Sequence, residues 1–261
     1  MELAMIGLGR MGANMAERLV RGGHTVRGYD PGDAARQQAE ARGIVPHANL
    51  QNAVAALPTP RVVWLMVPAG QVVDDTIAQL RPLLAAGDTV IDGGNSNYKD
   101  TQRRGAQLAE AGIHYIDCGT SGGVWGLAEG YSLMIGGDAG AVARLQPVFA
   151  TLAPTPETGW GHVGPSGAGQ LTKMVNQICI AGLVQGLSEA IAFGQRAGLD
   201  MHQVLDVIGK GAAQSWQMDN RGKTMVEGKF DFGFAVDWMR KDLGLVLDEA
   251  KRNGARLPVT A

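Results

Sequence analysis

The chain has 261 residues, of which 45% are hydrophobic, so it can bury a large core, and we expect two domains. A formal net charge of -2 excludes the basic character of proteins that contact nucleic-acid phosphates. The two cysteines offer neither a disulfide framework nor a metal-ligand spacing, and we recognise no signal peptide or membrane-length apolar run. We therefore expect a cytoplasmic protein with no metal site, no nucleic-acid partner and no membrane association.

The first 30 residues predict a dinucleotide-binding fold. A short apolar strand pattern at residues 2–6 is followed at once by Gly7-Leu8-Gly9-Arg10-Met11-Gly12. A helical pattern at 13–21 and a second strand at 25–29 come next, and Asp30 follows that strand. Strand, GxGxxG, helix, strand and acidic residue together form the fingerprint of NAD and NADP sites. The expected cofactor contacts are Gly7, Leu8, Gly9, Arg10, Met11, Gly12 and Asp30.

The residues of this fingerprint have different expected roles. Gly7 allows a tight turn, Gly9 lets the backbone approach the pyrophosphate, and Gly12 lets helix and strand pack closely. The helix N-terminus supplies amide donors to the phosphate charge. Asp30 would bind the adenosine ribose and repel a 2′-phosphate, so NAD is the preferred cofactor. Two nearby arginines keep NADP possible, Arg27 and Arg36.

Strand and helix patterns continue to alternate as far as residue 163. Further strands are predicted at 61–67, 89–92, 113–117, 132–136 and 160–163, and helices at 71–84, 99–111 and 139–152. This alternation predicts that residues 1–163 form an α/β domain, a parallel sheet doubly wound by helices in the Rossmann manner. Ligands of such sheets bind outside the carboxyl ends of the strands. Further candidate cofactor contacts in the loops at those ends are Val67, Pro68 and Asn95.

One of these loops is a candidate substrate site. Ser121-Gly122-Gly123 follows a predicted strand, and its backbone N–H groups carry no side chains that would block an anion such as a substrate carboxylate. A plain surface turn is the alternative. Asn95, in the neighbouring loop, could hydrogen-bond a substrate hydroxyl or could form an Asx turn.

After residue 163 only helical patterns follow, so we predict an all-α domain at 164–261, opened by a long helix. Lys173, Asn176 and Gln177 have i, i+3, i+4 spacing near its start, which places them on one face. Lys173 either lines a cleft or is an ordinary lysine at a helix end. The helix is apolar on all sides at 178–184, which predicts burial. The last residues carry no helix cap, which suggests that the C-terminus is truncated.

Four motifs in order resemble the β-hydroxyacid dehydrogenase superfamily, which includes 3-hydroxyisobutyrate and 6-phosphogluconate dehydrogenases. They are the glycine-rich loop at 7–12, Ser121-Gly122-Gly123, the run 164–169 with Lys173, and Lys241-Asp242-Leu243. The resemblance covers essentially the whole chain. It implies an NAD(P)-dependent dehydrogenase that acts on a small hydroxy acid and assembles as a homodimer or larger oligomer.

The two halves of the chain resemble different members of the superfamily. The stretches 92–98 and 119–126 are similar to the short form of 6-phosphogluconate dehydrogenase. Its decarboxylating helix, however, carries an acid and a phosphate-binding tyrosine where this sequence has Ile180 and Ala181. The pair Asn176-Gln177 is similar to the members that do not decarboxylate. We give the helix more weight, because it carries the chemistry that separates the two reactions.

By resemblance, hydride passes between the hydroxyl-bearing carbon of a 3-hydroxy acid and nicotinamide. Lys173 would be the general base, oriented with the substrate by Asn176 and Gln177. Lys241 would reach the cofactor or the substrate, or is an ordinary exposed helix lysine. The alternatives are a decarboxylating 6-phosphogluconate dehydrogenase and, in a different class, an NAD(H) sensor without turnover. Imine reduction ranks lower, since enzymes of that kind generally lack the lysine.

Overall fold

Eight strands and twelve α-helices make up the chain in the computed structural model, which describes all 261 residues. The strands are β1 (Glu2–Ile6), β2 (Thr25–Tyr29), β3 (Val45–Pro46), β4 (Val62–Leu65), β5 (Thr89–Asp92), β6 (His114–Ser121), β7 (Ser132–Gly136) and β8 (Trp160–Gly164). The helices are α1 (Arg10–Arg21), α2 (Asp33–Glu40), α3 (Leu50–Ala55), α4 (Gln71–Leu80), α5 (Tyr98–Ala109), α6 (Gly126–Glu129), α7 (Ala139–Arg144), α8 (Gln146–Leu152), α9 (Ala168–Arg196), α10 (Met201–Ile208), α11 (Trp216–Val226) and α12 (Val236–Asn253).

The strands form one sheet in the order β3-β2-β1-β4-β5-β6-β7-β8. Alternate residues of a strand pack on opposite faces, so that Leu3 and Met5 belong to one apolar cluster and Ala4 and Ile6 to another. Burial on both faces explains why these strands are continuous apolar runs in the sequence. The predicted Rossmann-type α/β architecture followed by helices is confirmed.

The sheet is mixed rather than wholly parallel, which corrects one expectation. Strand β7 pairs antiparallel with β6, while β8 runs parallel to β7. Only residues 122–131 join β6 to β7, and a parallel crossover usually needs a longer connection. Strand β6 also extends through Ser121, so residues 118–121 continue a strand that is predicted to end at residue 117.

One further prediction of secondary structure was wrong, and several short elements were not predicted. The helix expected at 139–152 is two helices, α7 and α8, because Pro147 lies at the start of α8 and cannot donate a backbone hydrogen bond inside a continuous helix. The short elements α2, β3, α3 and α6 were not predicted. They are two to eight residues long and therefore have little periodicity to detect.

By compactness the chain divides into two units, Met1–Lys173 and Met174–Ala261. The division falls inside α9, after Lys173, whereas the predicted domains meet at residues 163 and 164. In the second unit an apolar cluster joins α9 to α10 and α11 through Leu187, Leu205 and Met218.

The middle of α9 is not buried within the chain, contrary to its apolar sequence. Leu183 is 49% exposed, and Val175 and Phe193 are 59% and 73% exposed. By length and composition α9 could also cross a membrane, but the core helices of soluble proteins can have the same length and composition.

Arg18, in the last turn of α1, connects three helices of the first unit. Its guanidinium donates hydrogen bonds to the carbonyl oxygens of Leu127 and Ala128 at the end of α6, at 3.2 and 3.3 Å. It also donates to those of Thr151 and Ala153 at the end of α8, at 3.0 and 2.7 Å. The last carbonyls of a helix have no intrahelical partner, so Arg18 satisfies groups that would otherwise need water.

Arg18→Met should destabilise the protein by about 2–4 kcal/mol, because partly buried carbonyls lose a charged donor. The measurement is the free energy of unfolding in urea. Arg21→Met is the matched control on the same helix: the Arg21 side chain is 61% exposed. Its removal should change the free energy by less than about 0.5 kcal/mol. Equal losses in the two variants would contradict the assigned role of Arg18.

Candidate active site

The glycine-rich loop between β1 and α1 has the geometry of a dinucleotide site. Gly7 has a φ of +93°, and a Cβ at this position would lie 2.4 Å from the Met66 carbonyl oxygen. A Cβ on Gly12 would lie 2.0 Å from the Gly7 carbonyl oxygen, so only glycine allows α1 to pack this closely. A Cβ on Gly9 would meet nothing within 4 Å. Open space beside Gly9, at the N-terminus of α1, is what a pyrophosphate requires.

Asp30 at the end of β2 fixes this loop from the side. One carboxylate oxygen accepts the backbone N–H of Leu8 at 2.9 Å, and the other accepts that of Gly32 at 2.8 Å. Arg10 and Met11 begin α1, with Arg10 exposed and Met11 packed against the apolar core. The carboxylate therefore has a structural role in the loop, in addition to its predicted contact with the ribose.

The loop after β5 contains Asn95 and is held by a buried polar network. The Asp92 carboxylate accepts hydrogen bonds from Gly94 N–H at 3.0 Å, Ser96 Oγ at 2.7 Å and the Tyr115 hydroxyl at 3.0 Å. Burial raises the pKa of Asp92, and these hydrogen bonds oppose the shift. Asn95 itself is half-buried, one residue beyond this anchored glycine.

Behind Asp92, Arg104 is 1% exposed and joins α5 to α4. It binds Asp74 with two hydrogen bonds, of 3.0 and 2.8 Å, and approaches Asp92 to 3.8 Å. Its hydrogen bonding lowers the pKa of Asp74 to about 2. Of the other predicted cofactor contacts, Val67 is half-buried and Pro68 exposed, directly after β4.

Ser121-Gly122-Gly123 forms the turn that leaves β6. Gly122 and Gly123 have φ values of +149° and +52°, in the region that favours glycine. A Cβ on Gly122 would lie 2.9 Å from the ring of Tyr131, which is fully buried beneath the turn. The turn is therefore a defined backbone structure supported by an aromatic ring, with Ser121 half-buried at its start.

Asp117, four residues before Ser121 on β6, holds the first turn of α9. Its buried carboxylate accepts the backbone N–H groups of Gly167 at 2.8 Å and Gln170 at 2.9 Å. Burial raises the pKa of Asp117, and the two backbone hydrogen bonds oppose this shift. A carboxylate that accepts free N–H groups at a helix N-terminus also interacts favourably with the helix dipole.

This attachment brings Lys173 against the end of β6. Lys173 is 8% exposed, so it is not an ordinary surface lysine at a helix end. A Cβ on Gly119 would lie 2.8 Å from Lys173 Cβ and 2.9 Å from the Gly169 carbonyl oxygen. Only glycine at position 119 therefore permits this separation between α9 and the strand that leads to Ser121.

Asn176 and Gln177 belong to a polar chain in the second unit. The side-chain amide of Asn176 donates to Gln177 Oε1 at 2.9 Å, and Gln177 Nε2 donates to Asp242 Oδ2 at 2.7 Å. Lys241 pairs with the other oxygen of Asp242 at 3.0 Å. Gln177 and Asp242 are 2% and 5% exposed. Lys241, which is expected to reach the cofactor or the substrate, thus also forms an ion pair with a buried carboxylate.

The structure has no cluster of three or more His, Cys, Asp or Glu side chains suited to a metal ion. Cys118 is buried in the core, where burial raises the pKa of its thiol, and Cys179 is exposed.

Sequence reasoning did not identify Asp117 or Gln170 as parts of the site. Asp117 was noted only as the end of a predicted strand. The signal that could have identified it is a carboxylate at the end of a strand, because such a group can cap the N-terminus of a helix that follows later in the chain. No local pattern marks Gln170, which is 2% exposed and hydrogen-bonds a loop 76 residues earlier in the chain.

Comparison with known proteins agrees with this geometry. Residues 2–163 match the family described as the NAD binding domain of 6-phosphogluconate dehydrogenase. Residues 167–261 match the family described as NAD-binding of NADP-dependent 3-hydroxyisobutyrate dehydrogenase. The first part of the chain thus matches a 6-phosphogluconate dehydrogenase family and the second part a 3-hydroxyisobutyrate dehydrogenase family, which is the division that the sequence motifs indicated.

Individual relatives cover nearly the whole chain. An uncharacterized oxidoreductase of Shewanella frigidimarina is 42% identical over 100% of this chain and 89% of its own. The NAD(+)-dependent, decarboxylating 6-phosphogluconate dehydrogenase of Haloferax volcanii is 38% identical over 91% and 79% of the two chains. The solved structure of Mycobacterium tuberculosis 3-hydroxyisobutyrate dehydrogenase with L-serine superposes with a TM-score of 0.85 at 30% identity, covering 99% and 89%.

The Rossmann sheet, the glycine-rich loop and the helical unit thus define a nicotinamide-dependent oxidoreductase acting on CH–OH. The chain belongs to the β-hydroxyacid dehydrogenase superfamily. The predicted family and enzyme class are confirmed, and the alternative of an NAD(H) sensor without turnover is set aside.

Gly119→Ala should lower kcat about tenfold or more, because the added methyl group displaces the turn of α9 that carries Lys173. Binding of NADH, followed by its fluorescence, should stay within about twofold, since the glycine-rich loop is untouched. Gly161→Ala is the control, because a Cβ on that strand glycine meets nothing within 4 Å. Unchanged kcat in Gly119→Ala would show that this close packing is not required.

Proposed function

We propose that the protein is an NAD-dependent dehydrogenase that oxidises a small 3-hydroxy acid without decarboxylation, or catalyses the reverse reduction. The observation that carries the proposal is the buried Lys173, packed against Gly119 at the end of the strand that leads to Ser121-Gly122-Gly123. A base and a carboxylate-binding turn on adjoining elements match the two ends of a 3-hydroxy acid.

In the proposed reaction the turn at Ser121 binds the substrate carboxylate through the serine hydroxyl and the following backbone N–H groups. The amine of Lys173 takes the proton of the substrate hydroxyl during oxidation and returns it during reduction. Asn95 hydrogen-bonds the hydroxyl, and Asn176 and Gln177 lie on the same face of α9 as Lys173. The bound nicotinamide supplies the hydride acceptor or donor.

Lys173→Met should lower kcat by a factor of ~10²–10⁴, because the variant keeps the aliphatic stem and loses the base. NADH affinity should change little, since the cofactor contacts in the glycine-rich loop remain. The matched control is Lys251→Met, which removes an exposed lysine paired with Asp248. Initial rates with NAD and a panel of 3-hydroxy acids, L-serine included, provide the measurement. Activity above about a tenth of wild type would contradict the role.

A decarboxylating 6-phosphogluconate dehydrogenase is the second candidate, favoured by the family match over residues 2–163 and by the Haloferax volcanii relative. Against it, Ile180 and Ala181 offer no acid and no phosphate-binding hydroxyl at the two positions that distinguish that family. The discriminating measurement is CO₂ released per NADH formed from 6-phosphogluconate. Stoichiometric CO₂ would transfer the assignment to this second candidate.

The preference for NAD is supported by the surroundings of Asp30. The two arginines that could bind a 2′-phosphate already have acidic partners: Arg27 pairs with Glu2 at 2.5 Å, and Arg36 pairs with Asp33. Arg36 also donates to the backbone carbonyl of Asp30. A 2′-phosphate would therefore meet the Asp30 carboxylate, while the charges of Arg27 and Arg36 are already partly neutralised by Glu2 and Asp33.

Asp30→Ala should raise KM for NAD about 10- to 100-fold, the effect of losing one charge-assisted hydrogen bond. KM for NADP should rise less, because relief of the repulsion of the 2′-phosphate offsets the loss of the contacts that hold the loop through Leu8 and Gly32. Steady-state kinetics with both cofactors measure the change. Asp33→Ala serves as the control and should leave KM for NAD within about twofold, because Asp33 does not contact the glycine-rich loop. A wild-type enzyme that prefers NADP would refute the assignment.

We also propose a homodimer or larger homo-oligomer, supported by the large apolar side chains exposed in the second unit. Phe193, Val236 and Trp238 are 73%, 74% and 57% exposed, and isolated subunits rarely leave so much apolar surface in water. Sedimentation velocity at micromolar concentration should give a mass of at least twice 27.4 kDa. A single species at 27.4 kDa would contradict the proposal.

A cytoplasmic location remains part of the proposal. Two free cysteines, one exposed, suit a reducing compartment. The expected partner is a small hydroxy acid, consistent with the substrates in the names of relatives.

A further inference from the structure

Gln170 connects the first turn of α9 to the loop that carries Asn95. Its side-chain amide donates a hydrogen bond to the Gly94 carbonyl oxygen at 2.7 Å. Its backbone N–H donates to Asp117 at 2.9 Å, so the residue is itself fixed to β6. At 2% exposure, Gln170 makes these contacts away from water, where a lost hydrogen bond is costly.

The bond from Gln170 determines how one peptide unit is oriented. Gly94 is held from both sides, its N–H by Asp92 at 3.0 Å and its C=O by Gln170 at 2.7 Å. In a planar trans peptide the C=O of one residue and the N–H of the next point in opposite directions. Gln170 therefore fixes the direction of the Asn95 backbone N–H and the position at which the Asn95 side chain begins.

Gln170 also lies one helical turn before Lys173, on the same face of α9. The rigid backbone of α9 thus connects Lys173 to Gln170, the residue that holds Gly94. A neutral amide suits this place, because the buried carboxylates of Asp92 and Asp117 already flank the contact. An acidic side chain would add a third negative charge, and an apolar one would leave the Gly94 carbonyl without its donor.

We propose that Gln170 is a positioning residue for hydride transfer: its hydrogen bond to Gly94 sets the distance between Asn95 and Lys173. The inference rests on the proposed function in taking Lys173 as the base and Asn95 as a contact of the reacting hydroxyl. Gln170 touches neither substrate nor cofactor in this scheme and acts through the loop alone.

Gln170→Met removes the donor while keeping the length of the side chain. We expect kcat to fall about 20- to 100-fold, the effect of a displacement of about 1 Å, and the Kd for NADH to stay within about twofold. The matched control is Gln102→Met: Gln102 is exposed and donates its amide to the Ser166 carbonyl oxygen at 3.4 Å, beside the same helix start. That variant should leave kcat within about twofold.

Gln170→Glu separates positioning from simple stabilisation through its pH profile. An ionised carboxylate opposes the Gly94 carbonyl, whereas a protonated one donates a hydrogen bond as the amide does. The titratable groups facing this position are Asp117, Asp92 and Lys173, with Tyr115 and Arg104 behind Asp92. These groups are present in the wild type as well, so dividing the activity of the variant by that of the wild type removes their contribution.

The ratio of kcat in Gln170→Glu to that in wild type should rise at least about fivefold from pH 8.5 to pH 6, because burial raises the pKa of a carboxyl group into this range. The corresponding ratio for Gln170→Met should not vary with pH. The midpoint temperature of thermal unfolding of both variants must lie above the assay temperature at every pH used. A Gln170→Met variant with kcat within twofold of wild type, or a flat ratio for Gln170→Glu, would overturn the proposal.

Amide hydrogen exchange tests the inference independently of turnover. Residues 93–97 should exchange at least about tenfold faster in Gln170→Met than in wild type, and at the wild-type rate in Gln102→Met. If residues 93–97 exchange faster in Gln170→Met but the wild-type protein oxidises no hydroxy acid, the proposed function is refuted and the contact between Gln170 and the loop is supported. Unchanged exchange together with unchanged kcat in an active enzyme would refute the role of Gln170 alone.

Discussion

The buried carboxylate of Asp117 is the contact on which the geometry of the site depends. It accepts two backbone N–H groups at the start of α9 and thereby attaches a long helix to the central sheet. A helix held only by apolar packing could rotate or slide by a fraction of a turn, but two charge-assisted hydrogen bonds fix its rotation and height together. The backbone of α9 at Lys173 is thereby held against β6, and Gly119 allows the close approach that results.

The division of the chain between two kinds of dehydrogenase has a physical explanation. Residues 2–163, which match the NAD binding domain of 6-phosphogluconate dehydrogenase, contain the glycine-rich loop and the strand-end turns. The step that separates the two reactions requires an acid after oxidation, and that acid would come from α9. Similarity in the first part of the chain therefore says little about the fate of the oxidised product, whereas Ile180 and Ala181 bear on it directly.

The parts of the fold that depend on local pattern were predictable from the sequence. The glycine-rich loop, its flanking strands and Lys173 on a helix all follow from short-range spacing and turn chemistry. The contacts of Asp117 with Gly167 and of Gln170 with Gly94 join residues 50 and 76 positions apart, so no local period encodes them. The antiparallel β7 and the break at Pro147 were readable in principle, from a short connection and a proline within a helical pattern.

Arg18 links the helix of the glycine-rich loop to the segment that follows the Ser121 turn. Helix α1 begins at that loop, and Arg18 in its last turn donates hydrogen bonds to carbonyl oxygens at the ends of α6 and α8. A displacement of α1 would therefore be transmitted to α6, which begins shortly after the turn. A ligand that orders the loop would lower the entropic cost of ordering the turn, so that binding at the two places would be positively cooperative.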